Sequence, residues 1–197
     1  PFIRRRAIEA AHFAHALRVV AITPKSGSNN MMVSTAEGFA VNLECAPDEA
    51  FLLYPQDGTI VHSNHWLSPV ALSKLKETGL ASVPDSLYRD WRVRQHLMAR
   101  TGDIVAEDLK DALFDDFAAP FAVCRPPVRK EGGNLSATVA MVICEPAAGY
   151  MELAALPALN RTFTRYELAL DDSVLERIDK ASTQPVRDRK SRWAASS

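Results

Sequence analysis

Asn30-Met31-Met32-Val33-Ser34-Thr35-Ala36 and Gly38-Phe39-Ala40-Val41-Asn42-Leu43-Glu44-Cys45, joined at Glu37-Gly38, are the stretch from which the fold is read. Both halves are rich in residues that suit a pleated, half-buried surface, and they alternate with the period of a strand. Two such runs separated only by a glycine-containing turn pair antiparallel, because a parallel pair needs a crossover of a dozen residues or more. A second hairpin is expected from Phe51–Tyr54 and Ile60–Ser63 around Asp57-Gly58.

Outward from this sheet, residues 3–20 carry Ile3, Ala7, Ala10, Ala11, Ala14 and Leu17 at helical spacing with no glycine or proline between them, which predicts one helix. Pro84-Asp85-Ser86 opens another, with Asp85 or Ser86 as its N-cap; Leu87, Trp91 and Leu97-Met98 are its apolar positions and Gly102 its stop. A short helix over 106–114 follows. Beyond a loop at 120–133, strands are expected over 136–144, 150–156 and 162–170. Helices and antiparallel strands in separate runs define an α+β fold with antiparallel sheets and flanking helices, in contrast to a doubly wound parallel sheet. One domain covers residues 1–182, and the serine-containing, mixed-charge segment 183–197 reads as a mobile tail.

Twenty-three basic and 24 acidic residues among 197 give no electrostatic reason to expect nucleic acid as a partner. The Arg4-Arg5-Arg6 run is read as an exposed helix start, poorly placed for the helix dipole. No apolar run approaches the roughly 18 residues of a membrane helix, and no membrane partner is expected. Three irregularly spaced cysteines suggest neither a disulfide framework nor a zinc site, fit a reducing compartment, and make the cytoplasm the default location. Cys124 and Cys144, in apolar surroundings, read as buried inert thiols.

Chemistry is sought first in Ile60-Val61-His62-Ser63-Asn64-His65-Trp66-Leu67, entered from Gln56-Asp57-Gly58-Thr59. On a strand, His62 and Asn64 share one face, while Ser63 and His65 share the other. Asn64 at the strand end suits an oxyanion donor, since an amide donates without a charge to desolvate; the plainer alternative is an amide that satisfies a turn. Opposite-facing His62 and His65 argue against a shared metal ion. Arg89, Arg92 and Arg94 fall on a helix where such charges are usually solvated.

Taken in order, Ser28-Asn29-Asn30-Met31-Met32-Val33, Gly38 with Leu43-Glu44 and Pro47, His62-Ser63-Asn64-His65, Pro84-Asp85-Ser86-Leu87-Tyr88-Arg89, Val123-Cys124-Arg125 and Ala137-Thr138-Val139 resemble the peptidase C45 family over roughly residues 1–169. The family is that of acyl-coenzyme A:6-aminopenicillanic-acid acyltransferase. The resemblance implies an N-terminal-nucleophile αββα sandwich in which a precursor cleaves itself and exposes a cysteine that attacks amides or thioesters. It implies that Asn64 is the catalytic oxyanion donor, that Ser28, Asn30, His62 and His65 wall or support the site, and that Arg89 and, more weakly, Arg125 pair with a substrate carboxylate. The nucleophile is expected upstream of Pro1, in a missing N-terminal segment of the same precursor, because Cys45, Cys124 and Cys144 are internal and lack the free amine the mechanism needs.

Two positions depart from the family pattern: Ala46 replaces a serine, and Ala155-Leu156-Pro157 replaces a glycine-containing turn. The expected substrate is therefore a linear amide or thioester of unspecified acyl group. No metal or organic cofactor is implied, and coenzyme A enters only as a possible substrate. The chain alone is expected to be inactive. The alternative reading is a noncatalytic ligand-binding or interaction domain on the same sheet scaffold.

Overall fold

The computed structural model describes residues 2–129 and 132–168; the tail at 183–197 and the end of the strand expected over 162–170 lie outside the described residues. The described residues divide into two compact units, one containing residues 2–23 and the other Pro24–Leu168.

The first unit carries α1 (Phe2–Ile8) and α2 (Phe13–Ile22) where a single helix was expected. The break at residues 9–12 separates a stretch that buries nothing from one that buries Ala16, Val19 and Val20. Helices this short owe their stability to packing, and the alanines at 7, 10 and 11 offer little apolar area with which to hold one continuous rod. Arg5 and Glu9, 2.8 Å apart, form an exposed pair across the end of α1.

In the second unit, β1 (Asn29–Ser34), β2 (Ala40–Cys45) and β3 (Ala50–Leu53) form an antiparallel sheet with β2 in the middle. Met31 pairs with Leu43 and Leu43 with Leu52, while Asn30 pairs with Glu44 and Glu44 with Phe51. Gly38, at φ 87°, lies in the connection between β1 and β2, where an L side chain would be strained. From Val41 to Cys45 β2 is buried on both faces, so Asn42 and Glu44 are enclosed along with Val41 and Leu43.

The expected second hairpin does not form. Asp57 and Gly58 do make a tight turn with positive φ, but it closes a single bridge between Gln56 and Thr59. β3 pairs with β2 instead, and residues 60–68 run without strand or helix.

Ser68 caps α3 (Pro69–Lys74), its hydroxyl accepting from the Ala71 amide at 3.3 Å, with Pro69 in the first turn where its missing N–H costs nothing. A 3-10 turn follows at Gly79–Ala81, then α4 (Asp85–Met98) and α5 (Ala106–Leu113). Pro84 is the N-cap of α4, and Asp85 and Ser86 lie inside its first turn because their side chains are engaged elsewhere. The buried residues of α4 are Ser86, Asp90 and Leu97, while Leu87, Trp91 and Met98 are exposed. Leu97 packs with Val61 and Ala112 in a core cluster that Val93, Ile104 and Leu109 surround.

A short pair, β4 (Val128–Arg129) and β5 (Leu135–Ser136), occupies the loop region expected at 120–133 and the start of the strand expected at 136. β6 (Ala140–Glu145), β7 (Tyr150–Ala155) and β8 (Thr164–Glu167) make the last antiparallel sheet, and Lys110 of α5 binds Glu152 of β7 at 2.8 Å. One face of this sheet buries Met141, Ile143 and Ala154. The other, carrying Val142, Cys144, Met151, Leu153 and Tyr166, is uncharged and largely exposed. Cys144 is therefore not the buried thiol expected, because strand alternation turns it away from Ile143; Cys45 and Cys124 are buried. The architecture is mixed α+β with small antiparallel sheets. Among the described residues no helix is long and apolar enough to cross a membrane.

Candidate functional site

Residues 60–68 lack ladder partners, yet their backbone donors must be satisfied as the segment enters the interior. Three side chains do this. Ser86 Oγ accepts from the Asn64 amide at 2.7 Å and meets His65 Nδ1 at 2.8 Å. The Glu77 carboxylate accepts from the amides of Trp66 at 2.8 Å, Gly79 at 2.6 Å and Leu80 at 3.2 Å. Glu44 accepts from Leu67 N at 2.6 Å and Ser68 N at 3.0 Å. Within the loop these side-chain acceptors serve the amides of Asn64, Trp66, Leu67 and Ser68 in place of ladder partners.

The alternation argument for His62, Ser63, Asn64 and His65 fails with the strand, and all four line one cavity of about 400 Å³. Ser28 and Asn30 line it too, as do Glu44 and Glu77. Its apolar wall includes Ala46, Pro47, Trp66 and Leu75. Behind that wall Phe51 meets the Trp66 ring edge-on at 6.0 Å in a cluster with Ala46 and Ala71. The site residues expected from sequence thus converge, except the two arginines, which do not line the cavity.

Arg89 instead reaches Asn64 from α4. Its Nη2 donates to Asn64 Oδ1 at 2.7 Å while its Nε donates to Asp85 at 2.8 Å. Arg125 also pairs with Asp85. Burial pushes the Asp85 carboxyl up, but the Arg89 hydrogen bond and both guanidinium charges outweigh it and hold the group below its usual range. Because the guanidinium occupies Asn64 Oδ1, the amide's orientation follows: Nδ2 is the end left to donate elsewhere. Asn64 is exposed, so a donor on its side chain is accessible to a ligand.

Asn30 is committed differently. Its Nδ2 donates to Asn42 Oδ1 at 2.8 Å, and its Oδ1 accepts from Asn42 Nδ2 at 2.7 Å. This closed amide pair braces β1 against β2 beside the cavity.

Both ring nitrogens of His62 face acceptors: Nε2 the Glu44 carboxylate at 2.6 Å, Nδ1 the Ser63 carbonyl at 2.8 Å. Burial pushes the Glu44 carboxyl up, yet the His62 hydrogen bond, the Leu67 and Ser68 amides and the His62 charge together bring it below its usual range. Burial pushes His65 the other way, below the usual histidine value, with Asp90 opposing. A neutral His65 accepts the Ser86 hydroxyl at Nδ1, while Ser86 accepts from Asn64 N. Ser86 is 0% exposed, so the Ser86–His65 contact braces the loop and offers no nucleophile.

The hydroxyls of Ser28, Ser63 and Thr78 line the cavity, and that of Ser63 is buried with no hydrogen-bond partner. Burial raises Cys45 and Cys124, which disfavours the thiolate, and no cysteine lines the cavity. Among the described residues no three His, Cys, Asp or Glu side chains are grouped to hold a metal ion. Arg92 and Arg94 are also less free than a solvated helix face predicts. Arg92 donates to Asp115 through Nε at 2.9 Å, and Arg94 to Asp90 at 2.5 Å and the Val61 carbonyl at 2.7 Å.

Sequence reading missed Glu44, Ser86 and Glu77 as supports. A signal existed for Glu44: two polar residues, Asn42 and Glu44, alternate with Val41, Leu43 and Cys45 in a strand otherwise composed for burial. Nothing local marks Ser86, whose partner amide lies 22 residues away, and Glu77 binds the nearby Gly79 and Leu80 amides but reaches Trp66 across 11 residues. No protein-family model matches the chain, and no curated protein sequence matches it.

Proposed function

We propose that this chain is part of an amidohydrolase or acyltransferase that acts on linear amides or thioesters, similar to the peptidase C45 family. Asn64 donates Nδ2–H to the oxygen that becomes negative in the tetrahedral intermediate, and a cysteine from another segment of the same precursor attacks the carbonyl. The observation that carries the reading is the Arg89–Asn64 bond, which commits the amide oxygen of a residue lining a cavity of ligand size and leaves its nitrogen as the donor. The apolar wall at Ala46, Pro47, Trp66 and Leu75 suits an acyl chain. The uncharged outer face of the β6–β8 sheet is the kind of surface a further sandwich layer covers.

The second reading, a noncatalytic binding domain, is favoured by a cavity lining that holds no cysteine. The two are separated by assaying the protein made from its full reading frame against acyl p-nitroanilides and acyl thioesters. The catalytic reading expects turnover that Asn64→Ala reduces about 10²- to 10³-fold in kcat with little change in KM. An unchanged kcat removes Asn64 from catalysis. Ligand retention without turnover selects the binding domain.

A further inference from the structure

We infer that Glu44 is the positioning residue for Asn64, a role that rests on the reading of Asn64 as oxyanion donor. Glu44 Oε1 accepts both from His62 Nε2 and from Leu67 N, each at 2.6 Å. Fully extended, the five residue steps from 62 to 67 span roughly 17 Å; here groups from both ends of the stretch meet at one oxygen atom. The segment is therefore a closed arc with Asn64 between its fixed ends. Oε2 adds Ser68 N at 3.0 Å and carries the clamp into the N-cap of α3.

The clamp is rigid because its base is. Glu44 is 1% exposed and sits in the central strand, with Asn30 opposite on one side and Phe51 on the other. Its charge in this buried position is supported by three donors. Ser86 then fixes Asn64 N from α4, and Arg89 fixes its Oδ1, so the sheet sets where the arc lies and the helix sets how Asn64 is turned.

Glu44→Gln keeps the shape but turns one oxygen into a donor, which must face Ser68 N or the pair formed by Leu67 N and His62 Nε2. Amide exchange measured by NMR on the full chain is expected to accelerate about ten- to a hundredfold at Leu67 and Ser68. The β6–β7 amides are expected to keep their rates, and the Asn64 side-chain NH2 resonances to move. Unchanged rates at Leu67 and Ser68 in folded Glu44→Gln overturn the clamp. Should that variant not fold, the wild-type acid titration decides. Leu67 and Ser68 amide protons are expected to shift together, with a midpoint below that of an ordinary glutamate, and independent or absent shifts overturn the inference. With an acyl substrate, Glu44→Gln is expected to lower kcat at least tenfold while KM stays within about twofold. Activity is assayed on the protein made from its full reading frame; an inactive wild type there, with an intact NMR signature, rejects the role of Asn64 in acyl transfer and leaves the clamp standing.

Discussion

Arg89 Nη2 stands 2.7 Å from Asn64 Oδ1, and the same guanidinium holds Asp85 through Nε at 2.8 Å. One planar fork thus ties the first turn of α4 to the loop at 60–68 and decides which end of the Asn64 amide can donate. Lysine carries the charge but not the fork. Arg89→Lys is therefore expected to split the Asn64 side-chain NMR signals into two orientations and, under the proposed function and in the protein made from its full reading frame, to lower kcat about tenfold with KM nearly unchanged. A single unshifted Asn64 signal in the variant rejects this orienting role.

Ser86→Ala tests the other hold on the loop. The hydroxyl is fully buried and serves both Asn64 N and His65 Nδ1, so its removal strands two polar groups. A loss of about 2 to 4 kcal/mol in unfolding free energy is expected by urea denaturation, at the rate for buried groups left unpaired. A loss below about 0.5 kcal/mol shows that the loop is held without Ser86.

Gly79 approaches the same loop from the far side. A Cβ there lies 3.0 Å from Glu77 Oε1 and 3.4 Å from the Asn64 carbonyl. Glu77 has little room to yield, since its carboxylate serves three amides. Gly79→Ala is expected to cost about 1 to 2 kcal/mol, the range for overpacking, and to speed exchange at the Trp66 amide. Equal or greater stability contradicts the close approach.

Stability should fall in two windows as the solution is acidified. His65, lowered by burial, stays unprotonated in the fold at pH values where the unfolded chain takes up a proton. Below about pH 6.5 the unfolded state thus binds more protons, and stability declines until the folded pKa is passed. Glu44, Asp85 and Asp115 are lowered because their partners outweigh burial. Their contribution is complete above the ordinary carboxylate values near 4 and is lost as pH falls through the folded ones. Urea denaturation from pH 8 to 3 is expected to show both declines, and His65→Gln to abolish the upper one alone. A wild-type curve flat between pH 6.5 and 5 contradicts the burial of a neutral His65.

Exposed Val142 and Tyr166 lie on the uncharged face of the last sheet. In the isolated chain, Val142→Lys and Tyr166→Lys are expected to change unfolding free energy by less than about 0.5 kcal/mol. They should also reduce binding of a hydrophobic dye to the chain. A cost above about 1.5 kcal/mol shows this face to be covered.

Local patterns were legible where the chain answers to itself. The β1–β2 hairpin follows from alternation and the Glu37-Gly38 turn, the short helix expected over 106–114 contains α5, and the strands expected over 136–144 and 150–156 overlap β6 and β7. Asn64 was legible as a candidate by residue type. The mode of its support was not, because Arg89 and Ser86 meet it across 25 and 22 residues. The apolar positions of α4 misled for the same reason: Ser86 and Asp90 are buried because Asn64, His65 and Arg94 satisfy them, and Leu87 and Trp91 are left outside.

By itself the sequence determined which segments become helices and antiparallel strands over much of the described chain, since side-chain period and turn residues act between near neighbours. Only the tertiary structure decided that residues 60–68 abandon the strand, that His62 and His65 line the same cavity, and that Glu44 holds the arc around Asn64. The physical reason is that buried backbone donors take whichever acceptor folding brings within reach. Here those acceptors are side chains on distant elements, whose approach no local pattern encodes.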